Sequence, residues 1–127
     1  MLEQVRAVLD DPRFSLLFSA GSRAEVSIVG RLMREGQAVA VSGQVDRLAV
    51  TADTVLIADY KTNSPAPRRI DDVPPTYVTQ LALYRAVLAQ LYPDKAIRTV
   101  LIWTDVPDLM EISAASLDAA LTAVTSP

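Results

Sequence analysis

"GQVDRLAVTADTVLIADYKTN", residues 43–63, decides the fold. Two apolar-rich runs flank a short break at Ala52-Asp53, which is the pattern of a β-hairpin. One arm carries Asp46 and the other carries Asp59-Tyr60-Lys61. Ionised carboxylates are costly to bury unless they are paired or bind a metal. With the turn centred on Ala52-Asp53, Asp46 falls directly opposite Asp59. The side-chain period of two puts Lys61 on the same face. Opposed like charges about 4.5–5.5 Å apart between Cβ atoms destabilise a sheet. A hard cation between them, with Lys61 adding further positive charge, is an arrangement that would keep both.

Working outward, "AEVSIVGRLM" (24–33) and "AVAVSGQVDRLAVT" (38–51) are strands joined by the turn "REGQ". A bulge or bend is expected at Ser42-Gly43, because glycine inside a strand commonly marks one. With this turn centred on Glu35-Gly36, Glu25 falls opposite Asp46. Glu25, Asp46 and Asp59 then form a row across three strands. Toward the second turn the same face carries Leu48, Val50, Val55 and Ile57, so it is charged at one end and apolar at the other.

"TVLIADYKT" (54–62) is the third strand, and "NSPAPRRIDDVPP" is a proline-rich loop carrying Arg68 and Arg69. "TYVTQLALYRAVLAQLY" (76–92) is an amphipathic helix with Thr76 as the expected N-cap and an apolar stripe of Tyr77, Leu81, Tyr84, Leu88 and Leu91. "IRTVLIWTD" is a buried fourth strand, "LMEIS" a short edge strand and "SLDAALTAV" a final helix. "LEQVRAVLDDP" (2–12) reads as a first helix, and "FSLLFSAGSR" as a connection. The order predicts an α/β fold: an antiparallel three-strand meander, a crossover helix and a parallel fourth strand, in a mixed sheet flanked by helices.

Composition limits the chemistry. The 127 residues fit one domain, 1–127, and the 50% hydrophobic fraction suggests apolar surface that covers a neighbouring domain or subunit. The chain has neither cysteine nor histidine, which removes disulfides, zinc thiolates and the commonest general base. A metal site must therefore be built from oxygens, favouring magnesium, manganese or calcium. The net charge of −3 is a poor footprint for gripping duplex DNA unaided. Carboxylates clustered around absent cations, or a tethered neighbour, would reconcile it with a nucleic-acid substrate. The apolar runs are too short to span a bilayer and no signal peptide opens the chain, so a cytoplasmic location is expected.

"AEV", "GQVDRL", "DYKTN" and "QLALY", in that order on strand one, strand two, strand three and the helix, resemble the PD-(D/E)XK nucleases of the RecB family. The resemblance covers about Ala24 to Trp103 and is greatest to the C-terminal nuclease domains of AddA-type helicase–nucleases. A lone D-x-K is common; the ordered set of four is specific. The resemblance implies a restriction-endonuclease-like fold and a Mg2+-dependent (Mn2+ possible) DNA exonuclease acting in double-strand-break end processing and recombinational repair. It also implies that the chain is part of a larger helicase–nuclease with an AddB-like partner subunit, in the bacterial cytoplasm near the nucleoid. Carried over, Asp46 and Asp59 would ligate the metal with the Tyr60 carbonyl. Lys61 would orient or activate the attacking water and offset transition-state charge. Glu25 would complete the metal site or hold a second ion. Gln80 and Tyr84, four apart on one helix face, would support the site or contact DNA phosphates. Independently of the resemblance, Arg68 and Arg69 sit in the loop after Lys61, where they could touch a DNA backbone. Some relatives place a histidine on a helix before strand one, which this chain lacks, and relatives with a cysteine-bound iron–sulfur cluster are a poor match.

Each residue also has a plainer reading. Asp46 with Arg47 could cap a turn or form a surface ion pair. Asp59 could pair with Lys61 as a strand-edge salt bridge. Glu25, Gln80, Arg68 and Arg69 could be solvated, and Tyr84 could be core. Two functional alternatives follow: a catalytically silent nuclease-fold module that binds DNA or scaffolds a partner, and a protein-interaction domain whose charges are ion pairs.

Overall fold

A computed structural model describes residues 22–34, 36–62, 66–104 and 108–125. The helix expected at 2–12 lies outside them. Strands β1 (Ser22–Arg34), β2 (Gln37–Val50) and β3 (Thr54–Lys61) lead to helix α1 (Pro75–Leu91). Then follow β4 (Ala96–Trp103), β5 (Asp108–Ile112) and helix α2 (Ala114–Thr125). The strands form one five-stranded sheet in the order β1-β2-β3-β4-β5. β3 and β4 run parallel, joined through α1, and the other neighbours are antiparallel. This is the mixed sheet that the sequence predicts.

Both hairpin registers follow from their short turns. Arg34 pairs with Gln37 around Glu35-Gly36, and Val50 pairs with Val55 around Ala52-Asp53. Gly36 sits at φ 80°, the left-handed region that glycine enters without steric cost. The second turn is tied down from outside. Lys95 Nζ donates to the carbonyls of Thr51 and Ala52, and the Ala96 N–H donates to Asp53 O at 3.0 Å.

Both described helices pack into one core. Leu81, Tyr84, Val87 and Leu88 of α1 and Leu117 of α2 bury against Ile28, Leu32, Val41, Val45, Leu48, Val55, Ile57, Leu101 and Trp103. A second buried cluster, Ala49, Leu56, Ala58, Val100 and Ile102, lies on the opposite face of the sheet. Leu91, expected in the apolar stripe of α1, is instead 67% exposed. Val29 and Met33 on β1 are also exposed, which accounts for part of the apolar excess in the composition.

The bulge expected at Ser42-Gly43 does not form. Val29↔Ser42 and Ile28↔Gly43 are ordinary rungs. Glycine is required at 43 for space: a Cβ there would meet the Tyr84 hydroxyl at 1.9 Å. Thr76 is not the N-cap either. The cap is Pro74 with no side-chain bond, and Pro75 opens α1, where its missing N–H costs nothing and its φ suits the helix.

The irregularity lies at Glu25 and Asp46. Rungs are present on both sides, Val26↔Val45 and Ala24↔Arg47, but none joins Glu25 to Asp46. Glu25 adopts φ 54°, unusual for any residue but glycine. Before the break, Val39, Val41 and Val45 face the helices; after it, Leu48 and Val50 do. Simple alternation from Val45 would send Arg47 and Ala49 to that side, yet Ala49 belongs to the opposite cluster. Both strands therefore switch faces in step, and the register between them is unchanged.

Candidate active site

The β2–β3 ladder ends at the rung Arg47↔Ala58. Beyond it, side chains replace backbone partners. The Asp46 N–H donates to Asp59 Oδ1 at 3.0 Å, and the Tyr60 N–H donates to Asp46 Oδ2 at 2.8 Å. Each aspartate thus accepts from the opposite strand's backbone, and each satisfies an N–H that the interrupted ladder would leave without a partner. Among the described residues, Asp46 Oδ1 and Asp59 Oδ2 accept no hydrogen bond.

Asp59 is 4% exposed, and Asp46 is half-buried. Burial pushes the Asp59 carboxyl above the usual aspartate range. The Asp46 N–H bond opposes that shift, the Asp46 charge adds to it, and the Lys61 charge opposes it. Burial also raises the Tyr60 phenol; Arg47 opposes that shift and Asp46 adds to it. On the far face, the Arg47 guanidinium bonds Ser22 Oγ at 2.9 and 3.1 Å.

Lys61 closes β3 opposite Trp103 of β4. Its ammonium lies over the Tyr77 ring of α1, 4.3 Å from the centroid. Among the described residues no ion pair joins Lys61 to Asp59 or Asp46, so the strand-edge salt bridge is not formed. Tyr77 was legible in the sequence only as part of an apolar stripe; its contact with Lys61 comes from the crossover, which no local pattern encodes.

Gln80 and Tyr84 come together on α1, with Gln80 Nε2 donating to Tyr84 Oη at 3.1 Å. Tyr84 is buried, as its core reading predicts, and its hydroxyl reaches the backbone of β2 at Gly43. Arg68 and Arg69 are exposed, and Arg69 pairs with Asp71 at 3.4 Å. Glu25 is exposed at the break in β1. The expected row of three carboxylates is not assembled: among the described residues no three acidic groups gather closely enough to hold a metal. The left-handed backbone at Glu25 takes it out of the rung with Asp46, which accounts for its absence from the row.

The pair that remains suits a hard divalent cation. Magnesium is commonly held by one or two carboxylates with water and substrate phosphate oxygens completing the shell. Asp46 and Asp59 offer two adjacent carboxylates just past the end of the ladder, each with an oxygen to spare.

Comparison with known proteins gives the family. Residues 3–120 match the family model of the PD-(D/E)XK nuclease superfamily. The chain is 33% identical over 101 residues to an ATP-dependent helicase/nuclease from Lactiplantibacillus plantarum, a stretch covering 74% of this chain and 8% of that protein. The solved structure of SSO0001 overlaps 99% of this chain and 59% of its own, with a TM-score of 0.46 and 16% identity. No described helix is long and apolar enough to cross a membrane. The family match runs through all five strands and the crossover helix, and on it this chain belongs to the PD-(D/E)XK nuclease superfamily.

Proposed function

We propose that the chain is a divalent-metal-dependent DNA nuclease, an exonuclease module of a larger helicase–nuclease that processes broken duplex ends for recombinational repair. One observation carries the reading: two aspartates converge where the β2–β3 ladder ends, and among the described residues the nearby lysine forms no ion pair with either. A purely structural carboxylate pair would be expected to capture that ammonium.

In this reading Asp46 and Asp59 hold magnesium or manganese, with the Tyr60 carbonyl as a further ligand. Glu25, exposed and out of the carboxylate row, is not part of this metal set. When bound, the cation supplies a nucleophilic water at neutral pH and stabilises the leaving oxygen, which a chain without histidine needs from elsewhere. Lys61 orients the attacking water and offsets charge on the scissile phosphate. Gln80 and Tyr84 brace α1 against β2, and Arg68 and Arg69 contact the DNA backbone. The similarity to a helicase/nuclease supports DNA as substrate. It also supports a motor and an AddB-like protein as partners, and the cytoplasm, near the nucleoid, as location.

The test is cleavage of labelled single-stranded DNA with magnesium, manganese, calcium or EDTA, comparing wild type with Asp59→Ala and Lys61→Ala. Metal-dependent cutting abolished by both substitutions supports the assignment. Absence of cutting, together with no calorimetric magnesium binding, would sink it and leave a silent scaffold.

A further inference from the structure

Lys61 is restrained at both ends. Its carbonyl accepts from the Thr104 N–H at 2.9 Å and from the Thr104 hydroxyl at 3.3 Å. Its ammonium rests on the Tyr77 ring. That ring is itself backed: it meets the buried Trp103 at 6.3 Å between centroids, tilted by 39°. The Tyr77 N–H also bonds Pro74 O at 2.9 Å in the first turn of α1.

A lysine stem is long and flexible, and two nearby carboxylates would ordinarily draw its ammonium onto themselves. An aromatic face attracts the same charge without consuming a carboxylate oxygen. It also fixes one stem conformation in advance, so less freedom is lost when the group must act.

We propose that Tyr77 is a positioning residue for Lys61, holding the ammonium beside the aspartate pair and keeping it off the oxygens that receive the cation. The inference rests on the nuclease reading and adds to it a group that touches no reacting atom. Without the ring, Lys61 turns onto Asp59, which both misplaces the charge that offsets the phosphate and competes with metal. Loss of the ring therefore lowers kcat and raises the metal concentration needed for half-maximal rate, while KM for DNA stays nearly unchanged.

The experiment compares Tyr77→Phe and Tyr77→Leu by cleavage kinetics across a magnesium titration. It also follows the Lys61 ε-methylene protons by NMR without metal, because a ring face shifts them upfield. Tyr77→Phe keeps the shift and stays within about twofold of wild type, whereas Tyr77→Leu loses the shift and about three- to thirtyfold in kcat. On a Lys61→Ala background, Tyr77→Leu leaves the calorimetric magnesium affinity where Lys61→Ala alone puts it, because the ring acts on the metal site only through the lysine; a further change in affinity there overturns the inference. Melting temperatures check folding; if Tyr77→Leu unfolds, Tyr77→Met takes its place. An unshifted Lys61 signal in wild type overturns the inference, as does a leucine or methionine variant cleaving like wild type. Those results leave the nuclease reading standing, whereas a wild type that neither cuts nor binds magnesium removes both.

Discussion

Asp46 and Asp59 each accept a backbone N–H from the opposite strand just where the ladder has ended: Asp59 accepts from the Asp46 N–H, and Asp46 accepts from the Tyr60 N–H. The two acids thereby hold each other's strands while repelling each other's charge. The arrangement fixes their geometry before any ligand arrives, and its electrostatic cost can be measured.

Removing one charge relieves that cost. Asp59 has a folded pKa raised above its ordinary value of 3.8, chiefly by burial. Between those two values the native state binds more protons than the unfolded state, so stability falls as pH rises through the window and stays lower above it. In EDTA, Asp59→Asn keeps an oxygen for the Asp46 N–H and removes the repulsion. It should be more stable than wild type at pH 7 by about 0.5–2 kcal/mol, the range typical of relieving a strained functional position. Thermal melts across pH should show this advantage shrinking as the solution is acidified through the window. A variant no more stable than wild type at pH 7 would contradict the argument.

Divalent metal should act in the opposite sense on the same residue. Magnesium at about ten to a hundred times its dissociation constant stabilises wild type by about 1–3 kcal/mol through linkage. Asp59→Asn should show little or no shift. Differential scanning fluorimetry with and without magnesium reads both, and an equal shift in the two proteins would place the ion elsewhere.

Gly43→Ala should destabilise the fold by about 1–3 kcal/mol, the usual cost of overpacking, since the new methyl would meet the Tyr84 hydroxyl at 1.9 Å. Combining it with Tyr84→Leu, which removes the obstructing group, should make the double variant less costly than the sum of the singles. Urea denaturation of the four proteins gives the coupling; additive effects would mean that the two side chains do not meet.

The Arg98–Glu111 fork joins β4 to β5 with contacts of 2.5 and 3.1 Å. The Arg98 hydrogen bond holds the Glu111 carboxyl below its ordinary value of 4.5. Its stabilisation is therefore present above pH 4.5 and is lost as pH falls through the lower folded value. Both side chains are roughly half exposed, so Glu111→Gln should cost no more than about 1 kcal/mol at pH 7. Raising the salt concentration should narrow the difference.

The hairpin registers were legible because each turn is short and each strand has an apolar run to bury. The approach of Asp46 to Asp59 was legible for the same reason, although the ladder stops one residue short of pairing them. What escaped was the break itself. Alternation assumes that every residue flips the side chain, and nothing in the identity of Glu25 announces a left-handed backbone. Gly43 drew attention as a bulge, when its function is to admit a phenol from the helix that follows the next strand. The Lys61–Tyr77 contact also depends on how α1 lies across the sheet, a tertiary fact. The row of three carboxylates failed on the same break that leaves Asp46 to meet Asp59.

The in-step switch at Glu25 and Asp46 has a consequence for descent. Val45 and Leu48 both reach the helices although three positions separate them. A gene losing both codons together would leave them two positions apart, where plain alternation carries both to the same side. The strands would stay aligned and the core would survive, so folding alone does not require the break. What such a lineage would discard is one of the two paired acids. The interruption should therefore pass between generations together with Asp46, and vanish without harm to the sheet where that acid is dispensable.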